Sequence, residues 1–312
     1  MRFLRKRTTN NRKGRVIDMA RGNDIGKKMH HKFSFGMAGV YAVLIAWALT
    51  TIYPLFWILM NSFKNKKLIR SDSFSLPVGE TFTLDNYKTA FDRVNILGAY
   101  RNSLVISLSV AAAVILLAGL ASYALVRYDF KLKGLLSSMV VAGMMFPAFA
   151  TIIPVIRMMN VIGLANTNQI PKSLLAVILP QIAGNLSFAI VVLRGYIGGL
   201  PVELEEAAYM EGCNIFQLFF KVVMPLCKPS FATVGIFSFL WSYNDLFTQS
   251  FFLKTKPEYS VTVLLSLLTS QEGTNYGLMA SSVSLIVFPL LIVYLFLQKY
   301  IVKGLTAGAV KG

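Results

Sequence analysis

Side chains able to do chemistry are scarce in this sequence. Among 312 residues there are two histidines, two cysteines and 14 carboxylates, against 31 lysines and arginines. His30 and His31 stand together without a second pair of ligands, so no metal site is expected there. No Ser/His/Asp set and no Cys/His pair is recognisable, which leaves no catalytic residues and predicts that the chain is not an enzyme. GNDIGKK at 22–28 has three residues between its glycines where a phosphate loop needs four, and no Ser or Thr follows the lysine. The chain is therefore expected to bind no nucleotide or other cofactor itself. What remains is a small set of polar residues inside apolar runs. Gln181, Asn185 and Ser187 supply amides and a hydroxyl, while Trp241, Tyr243, Asn244 and Asp245 supply rings and acceptors. Such a set suits a hydroxyl-rich molecule, and equally suits helix–helix hydrogen bonding in a bilayer. Only Asp245 and Arg157 are clear ionisable candidates within those runs, too few for a proton relay.

A second cluster is acidic. PVELEEAAYMEGCNIFQLFFKVVMPLCKP at 201–229 lies between two apolar runs. Pro201 suits a first helical turn, and Glu203, Glu205 and Glu206 follow at the positive end of the helix dipole. Ala207 and Ala208 favour helix and let another surface approach, and Gly212 ends or turns the helix. A second short helix over about 214–223 then runs into Pro225 and Pro229. Three readings compete: a connector with solvated acids, a helix on the lipid surface, or a docking helix for a soluble partner. Surface helices are basic, whereas 201–212 holds four acids and no base. Cys213 and Cys227 both fall in this loop and are expected as thiols.

These residues carry a resemblance. Glu206-Ala207-Ala208, then Gly212, then Val222-Val223-Met224-Pro225 resembles the EAA motif of ABC importer permeases, with the spacing matched throughout. Val222 stands for the usual Ile and Met224 for the usual Leu. ASYALVRYDFKLKG at 121–134 is similar to the end of the family's second helix and its basic inner loop. FLWSYNDLF at 239–247 resembles its W-N-E-F region, with Tyr243 for Trp and Asp245 for Glu. QKYIVKGLTAGAVKG at 298–312 is similar to the tail of the MalG-like carbohydrate branch.

The elements that must position these residues are membrane spans. Hydrophobic residues make up 55% of the chain and charged ones 14%, far from a soluble domain. Six apolar runs, at 36–60, 103–126, 135–159, 174–193, 230–253 and 278–297, are each long enough to cross a bilayer as helix. Pro54, Pro147, Pro154, Pro180 and Pro289 lie inside runs and predict kinked helices around a pathway. Residues 1–34 form a basic tail, with eleven of the 31 basic residues, expected to be retained, partly disordered and held near anionic lipid. The formal net charge of +17 is carried without a base-reading motif, so nucleic acid is not expected as a partner. With both termini and the acidic loop inside, 20 basic residues lie inside and 11 outside, although the first outer loop is itself basic. In that loop, SLPVGETFTLDNYKTAF at 75–91 predicts a short amphipathic helix over 84–91 with Asp85 as its N-cap.

The expected fold class is all-α integral membrane: six transmembrane helices, the type I ABC importer permease bundle over 35–312, both termini cytoplasmic, with the docking loop at about 198–229. The resemblance implies a carbohydrate importer permease of a bacterial inner membrane, for oligosaccharides, forming half of the path. It implies as partners a second homologous permease, two cytoplasmic ATPase subunits that hydrolyse the ATP, and an external solute-binding protein. Glu203, Glu205, Glu206, Ala207, Ala208, Gly212 and Pro225 would then form the ATPase-coupling loop. Gln181, Asn185, Trp241, Tyr243, Asn244 and Asp245 would line the substrate path. Two alternatives stay open: an ABC permease for glycerol phosphate or another small polar solute, and, in another class, a stand-alone carrier or channel.

Overall fold

A computed structural model of the protein describes residues 35–93, 95–167, 169–271 and 275–309. The expectations for the basic tail 1–34 lie outside the described residues. Contacts divide the chain into two units, Met1–Tyr53 and Pro54–Gly312. The described part of the first is helical, the opening of α1 (Phe35–Ser62), an apolar segment with no charged residue.

The second unit is also helical. From the end of α1 the chain passes through two short helices, α2 (Lys66–Ser71) and α3 (Asp85–Arg93), into the long α4 (Ile96–Arg127). A broken pair follows, α5 (Lys133–Gly143) and α6 (Ala148–Val161), then α7 (Ile170–Gly198). Next come α8 (Glu203–Met210), α9 (Ile215–Leu218), a π-helical turn (Phe219–Val223) and α10 (Met224–Leu226). The chain closes with α11 (Lys228–Asn244), α12 (Leu246–Phe252), α13 (Val261–Gln271) and α14 (Tyr276–Ala309). Among the described residues the one β-type pairing is an isolated bridge between Lys64 and Phe82.

Among the described residues, four segments are long and apolar enough to cross a membrane unbroken, within α1, α4, α7 and α14. Two expected runs are not single helices. The third breaks between α5 and α6, which are bent by 107°. Pro147 sits at the break as the extended cap of α6, with ψ 134°, because a proline offers no N–H to the preceding turn and disfavours helix in the residue before it. A kink at Pro147 inside a continuous helix is thus replaced by a full stop; Pro54, Pro154, Pro180 and Pro289 do lie inside helices. The fifth run stops at Asp245, which leaves helical geometry at ψ 92° and caps α12 through its own carboxylate.

The centre is α4, α7 and α11. Ile106, Val110, Val114 and Ala118 repeat every four residues on one face of α4 and pack into a single cluster with Val177 and Leu193 of α7 and Phe231 and Val234 of α11. In lipid such packing rests on close van der Waals fit rather than on expulsion of water, and small residues supply the fit. At Gly119 an added Cβ would lie 2.8 Å from the Phe231 ring and 3.0 Å from that of Phe219.

The end of α4 that begins at Ile96 is knotted to its surroundings. Asn102 Nδ2 donates to the carbonyls of Pro257 and Tyr259 at 2.9 and 3.1 Å, and Ser103 Oγ accepts from Val261 N–H. Glu258 is buried; it accepts from Ser173 Oγ of α7 at 2.8 Å and from the N–H groups of Lys254 and Thr255. The neighbouring loop is equally ordered. Lys64 is wholly buried, its ammonium donating to the carbonyls of Asp72 and Ser73, and burial holds its pKa below the ordinary value of 10.5 despite the pull of Asp72. In α3, Asp85 is the first helical residue rather than the cap. Its N–H is taken by Thr83 Oγ1, and the Leu84 carbonyl opens the helix by accepting from Tyr87 and Lys88.

Candidate functional site

The acidic loop folds as two short helices joined at Gly212. Val202 opens α8, its carbonyl accepting from Glu205 and Glu206 N–H, so Pro201 stands just ahead of the first turn. Gly212 takes φ +87°, the left-handed region that glycine enters without strain. Its N–H donates to Tyr209 O, and Cys213 N–H reaches back to Ala208 O at 3.1 Å. That pair of bonds satisfies two of the helix's terminal carbonyls in a Schellman turn. Asn214 then caps α9 reciprocally with Gln217, each side chain accepting from the other's backbone N–H at 2.9 Å. The following turn widens to π-helix over Phe219–Val223 just before Pro225, which has no N–H to give and whose ring would crowd the Lys221 carbonyl of a regular turn.

The side chains of α8 divide sharply. Glu203, Leu204, Glu206 and Ala207 are exposed, Ala208 is half-buried, and Tyr209 and Met210 are 69% and 85% exposed. Glu205 alone among the three acids of the first turn is buried. Arg127 Nε donates to Glu205 Oε1 at 2.7 Å, Tyr123 Oη donates to Glu205 Oε2 at 2.9 Å, and Arg127 Nη2 donates to Leu200 O at 3.0 Å. The Tyr123 ring also meets Phe219 of the π turn, centroids 5.6 Å apart. The sequence reading grouped Glu205 with the exposed acids and missed Arg127 and Tyr123. Helical geometry carried the missing signal. At 100° per residue Glu203 and Glu206 share a face, whereas Glu205 points well away from both.

Nearby, Lys133 Nζ bonds Asp129 Oδ1 at 2.8 Å, and that bond lowers the Asp129 pKa.

The second candidate set gathers around a cavity of about 390 Å³ lined by α6, α7, α11 and α12, with Gln181, Asn185, Trp241, Ser242, Asp245 and Thr248 among its walls. Asp245 works in two directions: Oδ1 accepts from Thr248 N–H at 2.9 Å, and Oδ2 accepts from Gln181 Nε2 at 2.8 Å. Gln181 Oε1 accepts from Ser242 Oγ at 2.6 Å, and Gln249 Nε2 donates to Ser242 O at 2.7 Å. Asn185 donates to Gln181 O, while its buried Oδ1 has no hydrogen-bond partner. Trp241 forms an aromatic cluster with Phe188 and Phe237, centroids 4.9 and 5.8 Å away.

Of the six residues expected on the path, Gln181, Asn185, Trp241 and Asp245 line this cavity and two do not. Tyr243 is buried elsewhere, stacked on Phe239 at 5.7 Å. Asn244 donates to the Leu240 carbonyl of its own helix. Ser187 lies against Gly143 of α5. Ser242, Thr248 and Gln249 were not singled out beforehand; small hydroxyls and amides at helix breaks have no distinguishing sequence pattern.

Comparison with known proteins adds four findings. A family described as "Binding-protein-dependent transport system inner membrane component" matches residues 96–307. The chain is 30% identical to the diacetylchitobiose uptake system permease protein NgcG of Streptomyces coelicolor, over 86% of this chain and 87% of that one. It is also 30% identical to the arabinooligosaccharides transport system permease protein AraQ of Bacillus subtilis, over 91% of this chain and 100% of that one. Among solved structures, it is similar to a chain from a bacterial ABC transporter that imports the acidic polysaccharide alginate, with TM-score 0.71 and 21% identity, covering 86% of this chain and 99% of that chain. This last likeness is one of fold.

Proposed function

The chain belongs to the family of binding-protein-dependent transport system inner membrane components, and from that premise we propose that it is one permease subunit of an ATP-driven carbohydrate importer, acting on oligosaccharides. It spans the bacterial inner membrane six times when each broken segment counts as one crossing, with both termini and the loop around α8 inside. It forms half of the path, with a second homologous permease supplying the other half and an external binding protein delivering the solute. Two ATPase subunits hydrolyse the ATP; this chain binds no cofactor and catalyses no reaction of its own.

The observation that carries the reading is α8: a capped, short helix whose acids Glu203 and Glu206, alanine Ala207 and side chains Tyr209 and Met210 face outward. A membrane protein that presents such a helix at the end of its bundle presents it to a soluble partner, and the lack of any base from 201 to 212 argues against anionic lipid as that partner. Glu203, Glu206, Ala207, Ala208, Gly212 and Pro225 form the docking loop in this reading. The names of the two relatives support a saccharide as solute. So does the cavity, where the open Asn185 acceptor, the neutral amide of Gln181 and the Trp241 face suit hydroxyls and a sugar ring.

The test is co-purification of the tagged chain with its complex, for the native protein and for Gly212→Trp. A bulky side chain at φ +87° breaks the Schellman turn, so the ATPase subunits are expected to be lost and uptake abolished while membrane insertion persists. Retained ATPase subunits and unchanged uptake in Gly212→Trp would sink the docking assignment.

A further inference from the structure

The buried acid of α8 has a role different from that of its exposed neighbours. A docking helix transmits motion only if something fixes it to the transmembrane bundle, and along α8 the backbone packs mainly on the short segments that follow it, α9 and the π turn. Among the described residues, Glu205 provides a polar connection from α8 to a long helix. Both oxygens of Glu205 are taken, one by Arg127 Nε and one by Tyr123 Oη, four residues apart on the same face of α4. Arg127 also grips Leu200 O, in the link between α7 and α8. The second half of the loop reaches the same place, since Phe219 is 1% exposed and lies against Tyr123 and Gly119. Three parts of the loop therefore converge on one end of α4. That helix, with α7 and α11, makes the core on which the cavity is built.

We infer that Glu205, Arg127 and Tyr123 are positioning residues that weld the docking helix to α4, so that a displacement of α8 is delivered to the transmembrane core instead of being absorbed by a loose loop. The inference rests on the reading of α8 as the ATPase-docking helix. Glu205 then contributes to coupling without touching the ATPase. The two acids that flank it do the opposite, facing the partner while bearing no load within the chain.

The experiment uses the assembled transporter in proteoliposomes, with both permeases, the ATPase subunits and the binding protein, and compares Glu205→Ala and Glu205→Gln with Asp129→Asn, an equal charge loss at the same end. In Glu205→Ala the ATPase subunits are expected to co-purify at native stoichiometry and ATP turnover to stay within about two-fold, while uptake falls at least ten-fold. The ATP used per solute moved then rises at least about five-fold. Asp129→Asn should leave that ratio unchanged. Spin labels at Tyr209 and Leu117 give a readout that does not need transport, with a distance distribution that broadens in Glu205→Gln even if the alanine variant fails to fold and insert. An unchanged ATP-to-solute ratio in Glu205→Ala, or an unbroadened distribution in Glu205→Gln, overturns the inference. Loss of the ATPase subunits from Glu205→Ala also overturns it, because Glu205 would then be a docking contact, while leaving α8 as the docking helix. Intact ATPase binding and uptake in Gly212→Trp would instead remove the docking reading itself.

Discussion

The two ends of α4 are built on opposite principles. At the end that opens with Ile96, Asn102 and Ser103 bond a neighbouring loop through neutral groups, and Glu258 ties that loop to α7 through Ser173. At the other end, about 37 Å away by helix rise from Asn102 to Arg127, the attachment is one charge-assisted cluster to a short and otherwise exposed helix. The first end spreads its load over many small bonds, so no single bond decides where the helix sits. The second gathers its side-chain hydrogen bonds on Glu205 and Arg127, beside the packing of Phe219 on Tyr123. Under the inference above, the first is a fixed end and the second a driven one.

This contrast can be broken in stages. The largest stability loss is expected from Arg127→Ala, which leaves the Glu205 carboxylate buried with only the Tyr123 hydroxyl; about 3 kcal/mol is the usual scale for stripping one partner from a buried pair. Thermal unfolding in detergent reads this as a lowered midpoint, with transport uncoupled from ATP use. Next comes Glu258→Ala, which orphans the N–H groups of Lys254 and Thr255 and leaves Ser173 Oγ only its longer bonds to the Thr167 and Gln169 carbonyls, at about 2 kcal/mol. The midpoint should fall here too, yet the ATP-to-solute ratio should hold. A changed ratio in this variant would erase the distinction between the two ends. Asp245→Ala removes the cap of α12 and the partner of Gln181, costing about 1 kcal/mol for the cap. Asp245→Asn should recover the stability, and uptake kinetics should show a raised KM in both variants if the cavity carries the solute.

The smallest effect concerns Lys64. Its folded pKa lies below its unfolded value of 10.5, so between the two the unfolded chain holds more protons. Stability should therefore rise as pH climbs through that interval toward 10.5, and Lys64→Met should flatten the rise in an alkaline unfolding series.

How much of this was legible in the sequence differs between the regions. Hydropathy located the apolar runs, because length and composition alone decide whether a helix can cross a bilayer. It did not reveal the stops at Pro147 and Asp245, since a proline or an acid within an apolar run is compatible with both a kink and a break. Asp245 becomes intelligible afterwards: it stands where the related motif has Glu, and aspartate is the better cap. The two-helix form of the acidic loop was legible in its glycine and its prolines. Glu205 was not separated from Glu203 and Glu206, because its partners Arg127 and Tyr123 lie far back in the chain. Tyr243 and Asn244 could not be told apart from the residues that line the cavity, because the sequence shows which residues are polar but not which way a helix is turned.

The interruption at Asp245 has an electrical side. A helix that begins in mid-bundle directs unpaired amides and a partial positive charge at whatever adjoins it. In α12 that end is covered by a carboxylate of opposite sign, itself shared with the Gln181 amide. The Asp245 carboxylate is thereby held on both oxygens, and the wall beside the cavity adds amides and a hydroxyl to it. Under the proposed reading, a molecule made of hydroxyls would meet donors and acceptors already in place, so that shedding its water would leave few groups unpaired.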